Sequence, residues 1–209
     1  MKQKKRNIFW LVILSGLLQA CGNSTGINLG PYYEYGPTKN NFNVCHGYSC
    51  RYQTAVEFSD KEWDRLLRPL KRSFSSAEAE RTSLAKVIGN IEKLAGQKSG
   101  TSGDLAEARG KPEDAFQMDC IDETINHVLY MKFIRETGLL KKNVYVRPVH
   151  RGYFVDGSWP HNAVLVRDLE TEEMYVFDAF YKANGKPPYI VPYEEWKAGW
   201  RPNKNLQGL

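Results

Sequence analysis

A short export-type segment at the N-terminus sets the terms on which the rest of this chain can fold. Lys2, Lys4, Lys5 and Arg6 precede an apolar run from Ile8 to Leu18 that is broken only by Ser15 and Gly16. A membrane-spanning helix needs about 20 apolar residues, so this run is too short to span. A basic start, a short apolar centre and a small residue, Ala20, before a boundary describe a secretory signal. The fold must then come from the residues after Ala20, in a compartment where disulfides persist. The four basic residues of the segment account for four of the chain's net charge of +5, leaving +1. A nearly neutral body has no electrostatic footprint for nucleic acid. The remaining 189 of 209 residues suffice for one core and at most a small subdomain.

Leu18, Gln19, Ala20 and Cys21 resemble the lipobox at which lipoprotein signals are cut. The resemblance implies a lipid on Cys21 and a membrane partner reached through it. Gly22 after the cysteine favours a bacterial outer-membrane lipoprotein facing the periplasm.

Four cysteines are present. With Cys21 assigned to lipid, Cys45 and Cys50 are close enough for a local disulfide around Gly47 and Ser49, which leaves Cys120 as an unpaired thiol in an exported protein. The alternative, Cys120 paired with Cys45 or Cys50, stays open on sequence.

The pattern divides the chain into a signal over 1–20, a tether with the Cys45/Cys50 loop over 21–50, and one domain over 51–209. Residues 22–41 are rich in Gly, Asn, Pro, Thr and Tyr and offer little to bury. A short strand is expected over 51–58. A helix follows from Ser59, where Glu62 completes a capping-box pattern, and ends at Pro69. A second helix starts near Ser75 or Ser76 and carries Leu84, Val87, Ile88, Ile91 and Leu94 at helical spacing. On these helices Lys71, Arg72 and Arg81 read as solvated charges. Gly96, Gly100, Gly103 and Gly110 mark residues 96–112 as a loop or a broken helix, able to act as a lid.

From Asp119 a helix of four to five turns runs to Gly138, with Ile121, Ile125, Val128, Leu129 and Lys132 as its stripe. Strands are expected over 144–149, around Tyr153 to Val155, and over 163–167 and 174–180. The last two flank the polar turn Asp168 to Glu173 as a hairpin. An edge strand over 189–191 and a short helix over 194–200 close the chain. A helical portion over 51–112 followed by helix and antiparallel strands over 113–209 is an α+β pattern.

Cys120 is the residue with chemistry. With Asp119 as N-cap and Asp122 at N3, the thiol opens a helix, where free N–H groups and the dipole favour thiolate over its free pKa of about 8.5. Asp119, Asp122 and Glu123 oppose that. A histidine would decide the balance. His46 and His150 lie elsewhere in the pattern, and His127 is two turns along the helix, about 10 Å away. His161 opens a strand, and Asp178 on the return strand falls within about two residues of it in register, on the same face. A one-residue slip would put Asp178 on the other face. Asp168 is a fallback third member. Asp178 also stands out because a carboxylate in an apolar strand calls for a partner.

Cys120 at a helix start, His161 opening a later strand and Asp178 on the next resemble the transglutaminase-like branch of the papain-like cysteine peptidase superfamily, over roughly Ala115 to Phe180. The resemblance implies a nucleophile helix packed on an antiparallel sheet, and a catalytic core over 113–209. It implies a Cys120–His161–Asp178 site for thiol-dependent amide hydrolysis or acyl transfer on a peptide or protein. Cys120 attacks the carbonyl, His161 moves the proton and Asp178 orients the imidazole. The Cys120 N–H would be one oxyanion donor and Gln117 another. His161 is followed by Asn162–Ala163, where many members carry Ala-Trp. Tyr153, Phe154, Trp159, Phe180 and Tyr181 are candidates to line a substrate groove. The competing reading is a binding or structural lipoprotein that keeps the fold without turnover. A metal held by Cys120, His161 and Asp178 with His127 is the third class. No Cys-x-x-Cys or His-Glu-x-x-His pair supports it, so neither a metal nor a cofactor is expected.

Overall fold

The computed structural model describes residues 27–33, 36–108, 113–152 and 160–203. The export segment, Cys21, the strand expected around Tyr153 to Val155, and Phe154, Trp159 and Gly110 lie outside the described residues. No helix among the described residues is long and apolar enough to cross a membrane.

Antiparallel pairing organises both sheets. A two-stranded sheet joins β1 (Asn41–His46) to β2 (Tyr52–Glu57), with Phe42 opposite Val56 and Cys45 opposite Gln53. The disulfide Cys45–Cys50 closes this hairpin. Here the chain departs from the expected tether, which was to run to residue 41 and leave Cys45 in a loop. Phe42 and Val44 alternate into the main core, and Ile27 packs with Cys45, Cys50 and Ile125. A single helical turn, α1 (Gly30–Tyr33), lies between. A segment poor in apolar residues overall still places three where a neighbouring surface buries them.

Two helices follow. In α2 (Asp60–Leu67), Ser59 caps the Glu62 N–H and Glu62 reaches back to Ser59, the capping box read from sequence. Pro69 converts the next residues into a single 3-10 turn. α3 (Ala77–Ser99), capped by Ser76, is the longest element and ends at Gly100, whose left-handed φ of +92° an L side chain rarely adopts. Gly96, expected in a loop, is helical. A Cβ there would lie 2.7 Å from the Asn184 side chain, so glycine serves close packing rather than a break.

α4 (Cys120–Glu136) crosses a four-stranded meander: β3 (Asn143–Arg151), β4 (His161–Asp168), β5 (Met174–Asp178) and β6 (Tyr189–Pro192), in that order. A short helix, α5 (Tyr193–Lys197), covers the far side. The architecture is α+β. The sheet separates two apolar groups. Val164, Val166 and Phe177 face the helices with Leu84, Ile88, Ile91, Val128 and Met131. Ala163, Leu165 and Val176 face away, with Val149, Val191 and Trp196.

Arg81 reverses the expectation of a solvated charge, with Asp168 as its partner. Both are buried, and the Arg81 guanidinium donates to Asp168 at 2.9 Å and to the Asn143 side chain at 3.0 Å. Beside them Glu80 accepts the backbone N–H groups of Lys141, Lys142 and Asn143. A buried charge persists only when paired; here the pairing ties α3 to the start of β3 and the end of β4.

Candidate active site

Helix α4 begins at the thiol. Asp119 accepts the N–H groups of Ile121 and Asp122 at 2.9 Å each, and Asp122 accepts that of Asp119. This capping box claims two of the first-turn donors and leaves the Cys120 N–H out of the cap. Asp122 is fully buried and does more: it accepts Tyr48 N–H at 2.9 Å and Cys50 N–H at 2.5 Å, so the disulfide turn is bolted onto the first turn of α4. Burial, with the Asp119 charge beside it, pushes the Asp122 carboxyl up to about 7.

At the other side of the sheet stand His161 and Asp178. Extending the Val164–Phe177 register by one pair sets Asp178 across from Ala163, two residues from His161 on the same face. His161 Nε2 and Asp178 Oδ2 are 2.7 Å apart, and the Trp196 indole N–H donates to the same oxygen at 2.8 Å. His161 is 6 % exposed and Asp178 0 %. An ionised carboxylate accepting at Nε2 holds that proton there and leaves Nδ1 as the basic nitrogen. Phe180, Tyr181 and Trp196 surround the imidazole with ring centroids 5.2, 5.5 and 5.8 Å away. Arg151 stacks over Trp196 and donates to the Trp196 and Trp200 carbonyls, which fixes the indole in turn.

Cys120 is free and half-buried. Its sulfur meets Asn162, whose side-chain amide donates at 3.8 Å and whose backbone N–H also reaches it. Strand alternation explains the encounter: Asn162 follows His161 and therefore faces α4, while His161 faces Trp196. Asn162 Oδ1 lies 3.1 Å from His150 Nδ1. Among the described residues, the hydrogen-bond partner of the thiol is thus the residue after the histidine, not the imidazole. Burial pushes the thiol up to about 11; Asn162 pulls against this and the Asp119 and Asp178 charges add to it. The helix start does not overcome desolvation, so the balance that the sequence left open between helix start and neighbouring acids falls on the side of the neutral thiol.

No family model, no curated protein and no solved structure matches this chain.

The remaining candidates divide sharply. Gln117 is engaged elsewhere: its amide accepts Leu105 N–H and donates to Gly103 O, both at 3.0 Å, closing the 103–105 turn. Asp168 belongs to the Arg81 clasp at the opposite end of β4, where it also accepts Glu170 and Thr171 N–H. His46 is fully engaged by Ala115 O and Thr54. Sequence reasoning missed Trp196 and Asn162. An apolar strand carrying Asp178 signalled that a partner must exist, but nothing in the spacing pointed to an indole 18 residues later.

Proposed function

We propose that this chain is an envelope lipoprotein, anchored through Cys21 to the outer membrane and facing the periplasm. Its Cys120–His161–Asp178 site performs amide hydrolysis or acyl transfer on a peptide or protein, on a papain-like, transglutaminase-like domain. The observation that carries this reading is the buried His161–Asp178 pair under Trp196, one residue along the strand from the contact with Cys120. A carboxylate buried in an apolar sheet calls for partners, and one of those of Asp178 is an imidazole on the residue next to the one that meets a helix-start thiol.

The steps are those of a thiol acyl transferase. The thiol and the imidazole face opposite sides of β4 and share no hydrogen bond among the described residues, so the first step requires them to come together at the end of the strand. His161 Nδ1 then takes the Cys120 proton as sulfur bonds to the substrate carbonyl carbon and the C=O electron pair moves to oxygen. The Cys120 N–H, left out of the Asp119 cap, receives that oxyanion. Collapse breaks the C–N bond, and the imidazolium returns its proton to the departing amine. Water, or a second amine, then adds to the thioester while His161 takes its proton. The C–S bond breaks and the thiol is restored. No cofactor enters.

The burial that raises the Cys120 thiol favours a second reading, a binding or structural lipoprotein without turnover. One experiment separates the two: alkylation of Cys120 by iodoacetamide against pH, in the chain from Gly22 onward, comparing wild type with His161→Ala. Rapid labelling below pH 8 that disappears in the variant supports the enzyme. A rate that climbs with pH toward 11, and is indifferent to His161, removes the nucleophile and selects the binding protein.

A further inference from the structure

Behind the first turn of α4 lies a group of polar side chains that the thiol chemistry does not use. Glu123 and His127, four residues apart, share one face of α4, and Glu92 approaches from α3. One carboxylate oxygen from each glutamate and one His127 ring nitrogen all lie within 4.8 Å of one another, and all three residues are buried.

Hydrogen bonding does not account for this cluster. Glu92 Oε1 and His127 Nε2 are 3.8 Å apart, beyond a hydrogen bond. His127 Nε2, Glu123 Oε2, the Tyr130 hydroxyl and Asp104 Oδ2 are all buried without a hydrogen-bond partner. Asp104 and Tyr130 both lie close enough to feel the Glu92 charge. Native interiors satisfy nearly every buried polar atom, so the orphaned atoms of Glu123 and His127, two members of one tight cluster with Glu92, call for a group that bonds to them.

We propose that Glu92, Glu123 and His127 bind one divalent first-row transition-metal ion, Zn²⁺ or Mn²⁺, between α3 and α4. Two ligands each about 2.1 Å from an ion stand about 3.4 Å apart at the tetrahedral angle. The 3.8 Å between Glu92 and His127 therefore lies nearer to a metal-bridged spacing than to a hydrogen bond. An imidazole in the set favours a transition metal over Ca²⁺ or Mg²⁺, which prefer oxygen alone. A second contact already holds one of the ligands: Glu92 Oε2 accepts Gly185 N–H at 3.1 Å. The ion would answer the mutual repulsion of Glu92, Asp104 and Glu123 and pin the first half of α4, behind Cys120, to α3. It is independent of the thiol reading.

The test uses the chain from Gly22 onward, unfolded in guanidinium with EDTA, freed of chelator, and refolded alone or with Zn²⁺, Mn²⁺ or Ca²⁺. The expected result is about one Zn²⁺ or Mn²⁺ retained per chain after gel filtration, by elemental analysis, and a melting temperature several degrees above the metal-free protein. Glu123→Gln and His127→Gln should lose both. A wild-type protein that retains neither ion and melts identically with and without them overturns the proposal, whether or not the variants fold. So does stabilisation by Ca²⁺ alone, since that site would not be using the imidazole.

Discussion

At the scale of single residues, the pattern revealed most where one side chain answers a local geometric demand. Ser59 and Asp119 were legible as caps because a cap needs only the right oxygen three residues before the right acid. Asp178 was legible because an acid in an apolar strand needs a partner, and His161 proved to be that partner. The thiol was not, since its protonation depends on how deeply the sheet buries it, and depth is a tertiary property. Asp178→Asn tests the orienting role. Its side chain is nearly isosteric, and its oxygen can still accept from His161 and the Trp196 indole, but the charge that stabilises an imidazolium is gone. The expected outcome is a melting temperature near wild type. Cys120 alkylation below pH 8 should be slowed at least about tenfold, toward the rate of His161→Ala. Fast labelling retained in the folded Asn variant would show that the carboxylate does not serve the imidazole.

Elements were readable where periodicity is strong and wrong where context decides. The stripe on α3, the β4–β5 hairpin and the edge strand β6 follow from spacing. β1 was missed because its residues alternate within a segment that looks polar, and only β2 and α4 supply the surface that buries Phe42 and Val44. α4 was given one apolar stripe but is buried on nearly all sides. Asn126 bonds Cys45 through both backbone groups, and Thr124 bonds the Cys120 carbonyl. On sequence Glu123 therefore reads only as a charge opposing the Cys120 thiolate, and His127 only as too far along the helix to reach the thiol or as an adjunct to a metal reading centred on Cys120, although their four-residue spacing is there to see. Arg81 likewise reads as pointing outward. A charge on an amphipathic helix is usually solvated, and only the fold shows that α3 lies against the end of β4. Arg81→Met is expected to destabilise by about 3 kcal/mol or more, because Asp168 is left buried without its cation. Arg81→Met with Asp168→Asn should recover part of that loss. Urea unfolding of wild type, Arg81→Met, Asp168→Asn and the double variant measures it, and a double-variant loss equal to the sum of the two single losses would show that the pair contributes no coupling.

For the whole molecule, the meander acts as a wall with different chemistry on its two sides. One side seats α3 and α4 with the thiol and the buried Glu92–Glu123–His127 group; the other holds His161, Asp178 and the Trp196 cover. The α+β class was legible from element order, but the residue facing each side was legible only once strand register was known, which is why Asn162 rather than His161 meets the sulfur. The outer helices contribute through charge as well. Glu62, hydrogen-bonded to Lys98 and to the Ser59 backbone, has its carboxyl lowered to about 2. Asp168 is also lowered: burial opposes its ionisation, but the Glu170 N–H and the Arg81 guanidinium outweigh that cost. A carboxyl whose folded pKa lies below its unfolded value stabilises fully above the unfolded value, near 4, and loses that contribution as pH falls through the folded one. Melting temperature should therefore fall steeply between about pH 4.5 and 2. Glu62→Gln, which can keep the capping box but not the charge, should melt lower than wild type at pH 6 and approach it at pH 2. An acid limb of equal slope in both proteins would mean that the Glu62 charge is already balanced in the unfolded chain.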